Sequence, residues 1–322
     1  MKWRNLLLLI AAAGLGTLLV TGSPASAAEQ DVLVTGGKTG DYYLYFGPPI
    51  VRLLEKAWVD APLQESKGTP DNMDWLVDHP LSYALLQGNV FADLSKNDKY
   101  AGKIKILRGS GIGNETVLAV MSEKIFSRSQ GSWGAIAAHA KQVRLVTASE
   151  ASGPGQTLRQ LMQLDPNGIG RAEPKFLDSM DAAINAVADG RADVALMVQF
   201  ANPQNPRFKL IAEKGLKIAP VLSTSMKGLE IPGVGPAFTL CENAQVTAET
   251  RINTACTPIL VATGATNDNA DLKRVFASVS EADFTPAEPA FAKLWKAMLA
   301  KGGAAWDAAV SKANELAGKA NL

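Results

Sequence analysis

A chain of 322 residues that is 47% hydrophobic and 20% charged can bury a large core, and its length favours about two domains. Its 32 basic and 31 acidic side chains leave a formal charge of +1, which excludes a nonspecific pull toward nucleic acid, and the composition excludes a largely disordered chain.

The first residues stand apart. Lys2 and Arg4 precede an apolar run from Leu6 to Val20, and Ser23-Pro24-Ala25-Ser26-Ala27 follows as a small-residue cleavage pattern. This predicts a secretory signal peptide over residues 1–27, cut after Ala27. The competing reading, a membrane anchor, asks for ~20 apolar residues, and the run is shorter. Cleavage removes two basic residues and no acidic one, turning +1 into −1. The mature chain is therefore expected in the periplasm as a soluble protein. Oxidation is permitted there, so Cys241 and Cys256, fifteen positions apart, are expected to form a disulfide. Closing a loop of ~15 residues contributes about 3 kcal/mol in the chain-entropy account, which makes the bridge a staple.

Asp31 to Thr35 reads as a short buried strand that runs into glycines. Ile50, Leu53, Leu54 and Ala57 share one helical face, so a helix is predicted over Ile50 to Ala57, with Pro48 and Pro49 in its first turn. The aromatic stretch before them is then expected to be a separate turn or short helix. Next come an extended piece at Gln64 to Gly68, a helix at Asp71 to Val77 and a strand at Ser82 to Leu86, a β-α-β-α-β rhythm. Two more strands are predicted at Ile104 to Arg108 and Thr116 to Met121, around the turning glycines Gly109, Gly111 and Gly113.

The rhythm then restarts. A helix near Trp133 to Ala140, a strand at Val143 to Thr147, a glycine turn, a helix at Gln156 to Leu164, an extended piece at Pro174 to Phe176, a helix at Ser179 to Asp189 and a strand at Val194 to Val198 make a second α/β unit. Lys217 to Pro236 reads as a return crossing. A strand at Thr257 to Thr263 and helices at Asn269 to Val279, Ala287 to Leu299 and Ala304 to Ala317 close the chain.

Both units open with one device: a strand ends, glycines remove side chains, and a helix begins. The first-turn amides of a helix lack intrahelical partners and carry a collective partial positive charge, so an anion fits there. The turns are Thr35-Gly36-Gly37-Lys38-Thr39-Gly40 and Ser152-Gly153-Pro154-Gly155-Gln156-Thr157. A nucleotide phosphate loop is excluded, because the required glycine position holds Val32. Serine acyl-transfer motifs fail as well: no Ser-x-x-Lys and no Gly-x-Ser-x-Gly occurs. His79 and His139 read as surface or capping residues. Two histidines with a paired cysteine couple cannot make a zinc site, and Asp165-Pro166-Asn167-Gly168 lacks the oxygen ligands of a calcium loop at Ile169 and Phe176. The reading is therefore not an enzyme, with no metal and no cofactor.

Thr35-Gly36-Gly37, Gly40, Tyr42-Tyr43 and Gly47 resemble the opening TGG-x-x-G-x-YY-x-x-x-G pattern of the TAXI family, the TRAP-transporter-associated extracytoplasmic immunodominant proteins, which have the type II periplasmic binding protein fold. Ser66-x-Gly68-Thr69-x-x-Asn72, Tyr83 to Val90 and Ser152 to Thr157 extend the likeness; Pro48, Pro49 and Ser82 depart from it. The resemblance implies two doubly wound α/β domains, 28–115 with 225–322 and 116–224, joined by two crossing segments in a Venus-flytrap arrangement. It also implies a ligand held in the cleft between them, at the carboxyl ends of strands, with a hinge that closes over it.

The expected ligand is a small organic anion, foremost a carboxylate, delivered to membrane transporter subunits. The alternatives are an extracytoplasmic sensor feeding a signalling receptor, or a transport protein for a phosphate-like oxyanion. A monomer is expected, because a hinge must move freely. Candidate ligand-binding residues are Thr35, Gly36, Gly37, Thr39, Gly40, Tyr42 and Tyr43 in the first turn, and Gly68, Thr69, Asn72 and the strand-end Gln87 farther along the same unit. From the other unit come Ser152, Gly153, Gly155, Gln156, Thr157, Gln199 and Phe200. For the threonines and Asn72, helix capping competes with ligand contact, and Arg159 is a candidate countercharge.

Overall fold

A computed structural model describes residues 31–279. The expected signal peptide and the helices expected at 287–299 and 304–317 lie outside the described residues.

Strand β1 (Leu33–Val34) pairs in parallel with β2 (Leu63–Gln64) on one side and β3 (Tyr83–Gln87) on the other. β4 (Ile104–Arg108) completes this half-sheet, separated from β3 by an antiparallel strand from far along the chain. The scheme recurs with β5 (Asn114–Met121), β6 (Leu145–Thr147), β7 (Lys175–Phe176), β8 (Val194–Phe200) and β9 (Lys217–Pro220). Here β6 pairs in parallel with β7 and β8, while β5 runs antiparallel between β8 and β9. A short pair, β10 (Glu230–Ile231) and β11 (Gly235–Pro236), precedes the hairpin of β12 (Thr239–Gln245) and β13 (Arg251–Gly264).

β13 explains how the halves join. Its residues Cys256 to Pro258 pair with β5, and Ile259 to Gly264 pair with β3 and β4. The two spatial orders are therefore β2-β1-β3-β13-β4 and β7-β6-β8-β5-β9. Each half receives its antiparallel member from a strand that crosses out of the other. This is the expected α/β architecture of two doubly wound halves joined by crossing segments, and the internal similarity resides in strand order. The return segment also touches both halves: Leu229 and Ile231 pack in the first, Ala219, Val221 and Met226 in the second.

The central strands read as unbroken apolar runs because helices cover both faces. Adjacent residues point to opposite faces. Accordingly Leu33 and Leu85 join Phe46 and Ile50 in one core, whereas Val34, Ala84 and Leu86 join Met73 and Leu76 in another. The second half divides the same way, with Val117 and Leu196 on one face and Leu118 and Met197 on the other.

Helix α1 spans Gly47–Lys56, α2 Thr69–Asp78, α3 Gly88–Leu94, α4 Glu123–Ser129, α5 Trp133–Ala138, α6 Gly153–Leu164, α7 Met180–Ala188, α8 Pro206–Glu213 and α9 Ala270–Ala277. The aromatic stretch differs from expectation. Tyr42–Phe46 form a π-helical turn that runs directly into α1, with the Gly47 N–H donating to the Tyr42 carbonyl five residues back. Pro48 and Pro49 have no N–H to offer the carbonyls of Leu44 and Tyr45, so the ladder loosens where they would have donated. Helices α3, α4 and α8, the strands β9, β10 and β11 inside the expected return crossing, and the strand β12 were not expected. In β12 the register slips between Cys241 and Ala244, and Asn243 turns left-handed at φ 55°, which erases the alternation that marks a strand.

The predicted disulfide is present. Cys241 and Cys256 are bonded at 2.00 Å and tie β12 to β13. Reduction is expected to lower stability by up to about 3 kcal/mol, the loop-closure value, since the hairpin ladder already holds part of that order. Urea unfolding with and without reductant measures it. An unchanged midpoint would show the ladder suffices.

Candidate functional site

The first glycine turn begins where β1 stops. The Thr35 N–H donates to the Gln64 carbonyl at 3.1 Å, the Gly36 carbonyl accepts from Ser66 N–H at 3.2 Å, and Gly40 N–H closes a tight turn on the Gly37 carbonyl at 2.7 Å. The second turn begins where β6 stops. Ser152 caps α6, its Oγ accepting from Gly155 N–H at 3.2 Å. A Cβ on Gly155 would lie 2.2 Å from the Ser149 carbonyl oxygen, so glycine is needed for the fold of this turn. Gly68, at φ 127° ahead of α2, packs against this second turn: a Cβ there would lie 3.2 Å from the Ala151 carbonyl and 3.5 Å from Gly153 N.

Both turns line one cavity of about 340 Å³. Its first wall is Thr35, Gly36, Gly37, Thr39, Gly40, Asp41 and Tyr42, continued by Ser66, Lys67, Gly68, Thr69, Gln87 and Glu115. The opposite wall is Ala148, Ser149, Ser152, Gly153, Pro154, Asp178, Ser179, Met180, Val198, Gln199 and Arg207. The starts of α2, α6 and α7 therefore converge on the same space. A second groove of about 400 Å³, with Leu222, Met226, Phe238 and Leu240 in its walls, shares no residue with this cavity and lacks its converging helix starts.

Of the sequence candidates, Thr35, Gly36, Gly37, Thr39, Gly40, Tyr42, Gly68, Thr69, Gln87, Ser152, Gly153 and Gln199 line the cavity. Tyr43, Asn72, Gly155, Gln156, Thr157 and Phe200 are placed elsewhere. Asn72 is fully buried and its Nδ2 donates to the carbonyls of Thr35 and Leu85, both at 2.7 Å, bracing the ends of β1 and β3. The Phe200 ring packs edge-on against Phe46 at 5.1 Å. Gln156 Nε2 donates to the Glu150 carbonyl at 2.7 Å, and Arg159 pairs with the Glu150 carboxylate outside the cavity. His79 stacks on Trp75 at 4.2 Å, His139 is exposed at the end of α5, and neither lines the cavity. Among the described residues no group of three or more His, Cys, Asp or Glu could hold a metal ion, and no helix is long and apolar enough to cross a membrane.

Sequence reasoning missed the charged floor. Asp41 is 7% exposed, and its carboxylate accepts from Gln199 Nε2, from Phe200 N–H at 3.0 Å and from Asn205 Nδ2 at 3.1 Å. Burial pushes its pKa up, opposed by the Arg207 guanidinium and these three donors. Glu115, also 7% exposed, accepts a 2.6 Å hydrogen bond from the Tyr42 hydroxyl. Burial pushes its pKa up to about 8; the Tyr42 bond lowers it, Asp41 raises it and Arg207 lowers it. Burial and the adjoining Glu115 drive the Tyr42 phenol well above its usual range, so it stays a donor. Arg207 Nη1 donates to Gln199 Oε1 at 2.8 Å and its Nε to Asp181 at 2.9 Å. Near neutral pH the floor thus holds one acid, Glu115, that keeps its proton, beside Asp41, which lies in the field of the Arg207 guanidinium that itself pairs with Asp181.

No family model matches the chain, and no curated protein matches it. Solved structures resemble it at low identity. The periplasmic VFT2 domain of BvgS from Bordetella pertussis is 13% identical, with 79% of this chain and 89% of that chain covered and a TM-score of 0.45. A periplasmic thiamin binding protein is 12% identical, with 81% and 80% covered and a TM-score of 0.46. The arginine-, lysine-, histidine-binding protein ArtJ from Geobacillus stearothermophilus is 11% identical, with 77% and 88% covered and a TM-score of 0.43.

Proposed function

We propose that the chain is an extracytoplasmic solute-binding protein that captures a small organic anion, foremost a carboxylate, and delivers it to membrane transporter subunits. The observation that carries this reading is the shared cavity: two glycine turns at strand ends, one from each half, open onto the same space. Helix-start amides there lack intrahelical partners and favour negative charge. The acids of the floor do not oppose an anion. Asp41 is matched by Arg207 and three donors, and Glu115, with a pKa of about 8, is neutral at pH 7.

The signal-like first 27 residues support a periplasmic location, and the TAXI-like turns support a transporter as recipient. On this reading the lobes are 28–115 with 225–322 and 116–224, with the β12–β13 hairpin packed on the second, and the protein works as a monomer whose lobes close on the ligand. Native mass spectrometry of the purified protein, followed by calorimetry against carboxylates, amino acids and phosphate-like ions, tests it. One carboxylate bound per chain is expected. Tight phosphate binding with no carboxylate response would overturn the carboxylate assignment.

A further inference from the structure

Four buried polar side chains cross between the halves beside the cavity: Gln87 and Asn89 from the end of β3 and the start of α3, Thr157 and Gln160 from α6. Each is at most 4% exposed. Two backbone carbonyls, which can only accept, fix every proton in the set.

At one end Gln160 Nε2 donates to the Asn89 carbonyl at 3.0 Å, so Gln160 Oε1 must face the Asn89 side chain and receive its Nδ2 at 2.8 Å. At the other end the single Thr157 proton goes to the Gly153 carbonyl at 2.9 Å, leaving Oγ1 to accept. It accepts from Asn89 Nδ2 at 3.0 Å and from Gln87 Nε2 at 2.6 Å. Asn89 Oδ1 then receives the second Gln87 N–H at 2.7 Å. Reasoning from either end gives the same orientation for all three amides.

The consequence falls on Gln87. Both its N–H groups are spent, so the group it has left is the carbonyl oxygen Oε1, which no donor among the described residues meets. This oxygen lies against the start of α6, where a Cβ on Gly153 would sit 2.1 Å from it, and Gln87 lines the cavity. Resting on the cleft reading above, we infer that Gln87 is a specificity-determining hydrogen-bond acceptor that requires an O–H or N–H donor on the bound anion, and that Asn89, Thr157 and Gln160 are positioning residues that hold it so. A ligand without such a donor would leave a buried acceptor unpaired, which is the strongest discrimination a polar site offers.

The test uses carboxylate pairs that differ by one hydroxyl, succinate with malate and glutarate with 2-hydroxyglutarate, titrated by calorimetry into wild type, Gln87→Leu and Gln160→Met. The wild type is expected to favour the hydroxylated member of at least one pair by about tenfold or more. Gln87→Leu should bring that ratio to about one, and Gln160→Met, which frees the Asn89 amide to turn, should reduce it with the Gln87 side chain intact. A wild type that binds these acids without preference, or a preference that survives in Gln87→Leu, overturns the inference and leaves the cleft reading standing.

A wild type that binds none of the four rejects their class as ligand, and a ligand-free measurement then decides. In the free protein the Gln87 side-chain amide protons should exchange slowly by NMR, and faster in Gln160→Met. Exchange of the wild-type Gln87 amide at the rate of an exposed glutamine overturns the inference.

Discussion

Replacing Glu115 with glutamine should make the protein more stable at neutral pH, by roughly 3 kcal/mol, and flatten its pH dependence. Glu115 sits on β5 with 7% of its surface exposed, and burial pushes its pKa from 4.5 up to about 8. The unfolded chain releases this proton near pH 4.5, whereas the folded chain keeps it until about pH 8. Between those values the native state binds the extra proton, so stability falls as pH rises, by about 1.4 kcal/mol per pH unit, and levels off above the folded pKa. Below pH 4.5 both states are protonated and the penalty vanishes. Glutamine cannot ionise, has the same shape, and keeps a carbonyl oxygen to accept from the Tyr42 hydroxyl. Urea unfolding of both proteins at pH 5, 7 and 8.5 should give curves that nearly meet at the lowest value and separate progressively toward the highest. Parallel curves, with a constant offset at all three values, would mean that Glu115 is ionised in the folded protein.

What the sequence made legible follows from where the information lies in the chain. Gly36, Gly37, Gly40, Gly68 and Gly153 declare a bare backbone directly, and each lines the cavity. Strands β3 and β8 declare double-sided burial through unbroken apolar runs. The charged floor has no local signature. Asp41 meets Gln199 across 158 positions and Tyr42 meets Glu115 across 73, and no spacing rule connects residues that distant. Arg207, one residue after the proline that opens α8, looks from the sequence like a solvated helix start.

Gln87 and Thr157 illustrate a different limit. Both are polar groups at the ends of elements, and the sequence reading gave each a ligand. The fold gives them each other, at 2.6 Å, with both Gln87 N–H groups spent inside the protein. The π-helical turn was hidden for a third reason: Phe46 is wedged between the first core and the Phe200 ring, so tertiary packing decides how Tyr42–Phe46 join α1.

Removing the Asp41 carboxylate should have the opposite effect to Glu115→Gln and a larger one. Asp41 leads into the first aromatic turn, but every group it accepts from belongs to the end of β8 or the start of α8: Gln199 Nε2, Phe200 N–H and Asn205 Nδ2. It is thus a polar tie between the halves under the cavity floor. In Asp41→Ala these three donors lose their acceptor in a buried place, which costs on the order of 3–5 kcal/mol. Gln199 and Arg207 line the cavity, so ligand affinity should fall along with stability.

Asp41→Asn separates charge from hydrogen-bond count. It keeps one accepting oxygen and turns an NH2 toward groups that are themselves donors, so it should lose less than alanine and still fall well below wild type. Urea unfolding gives the stability order, and calorimetry with whichever carboxylate the wild type binds gives the affinity order. Wild type above Asn above Ala is expected in both. Equal stability of wild type and Asp41→Ala would mean that the two halves hold together without this carboxylate.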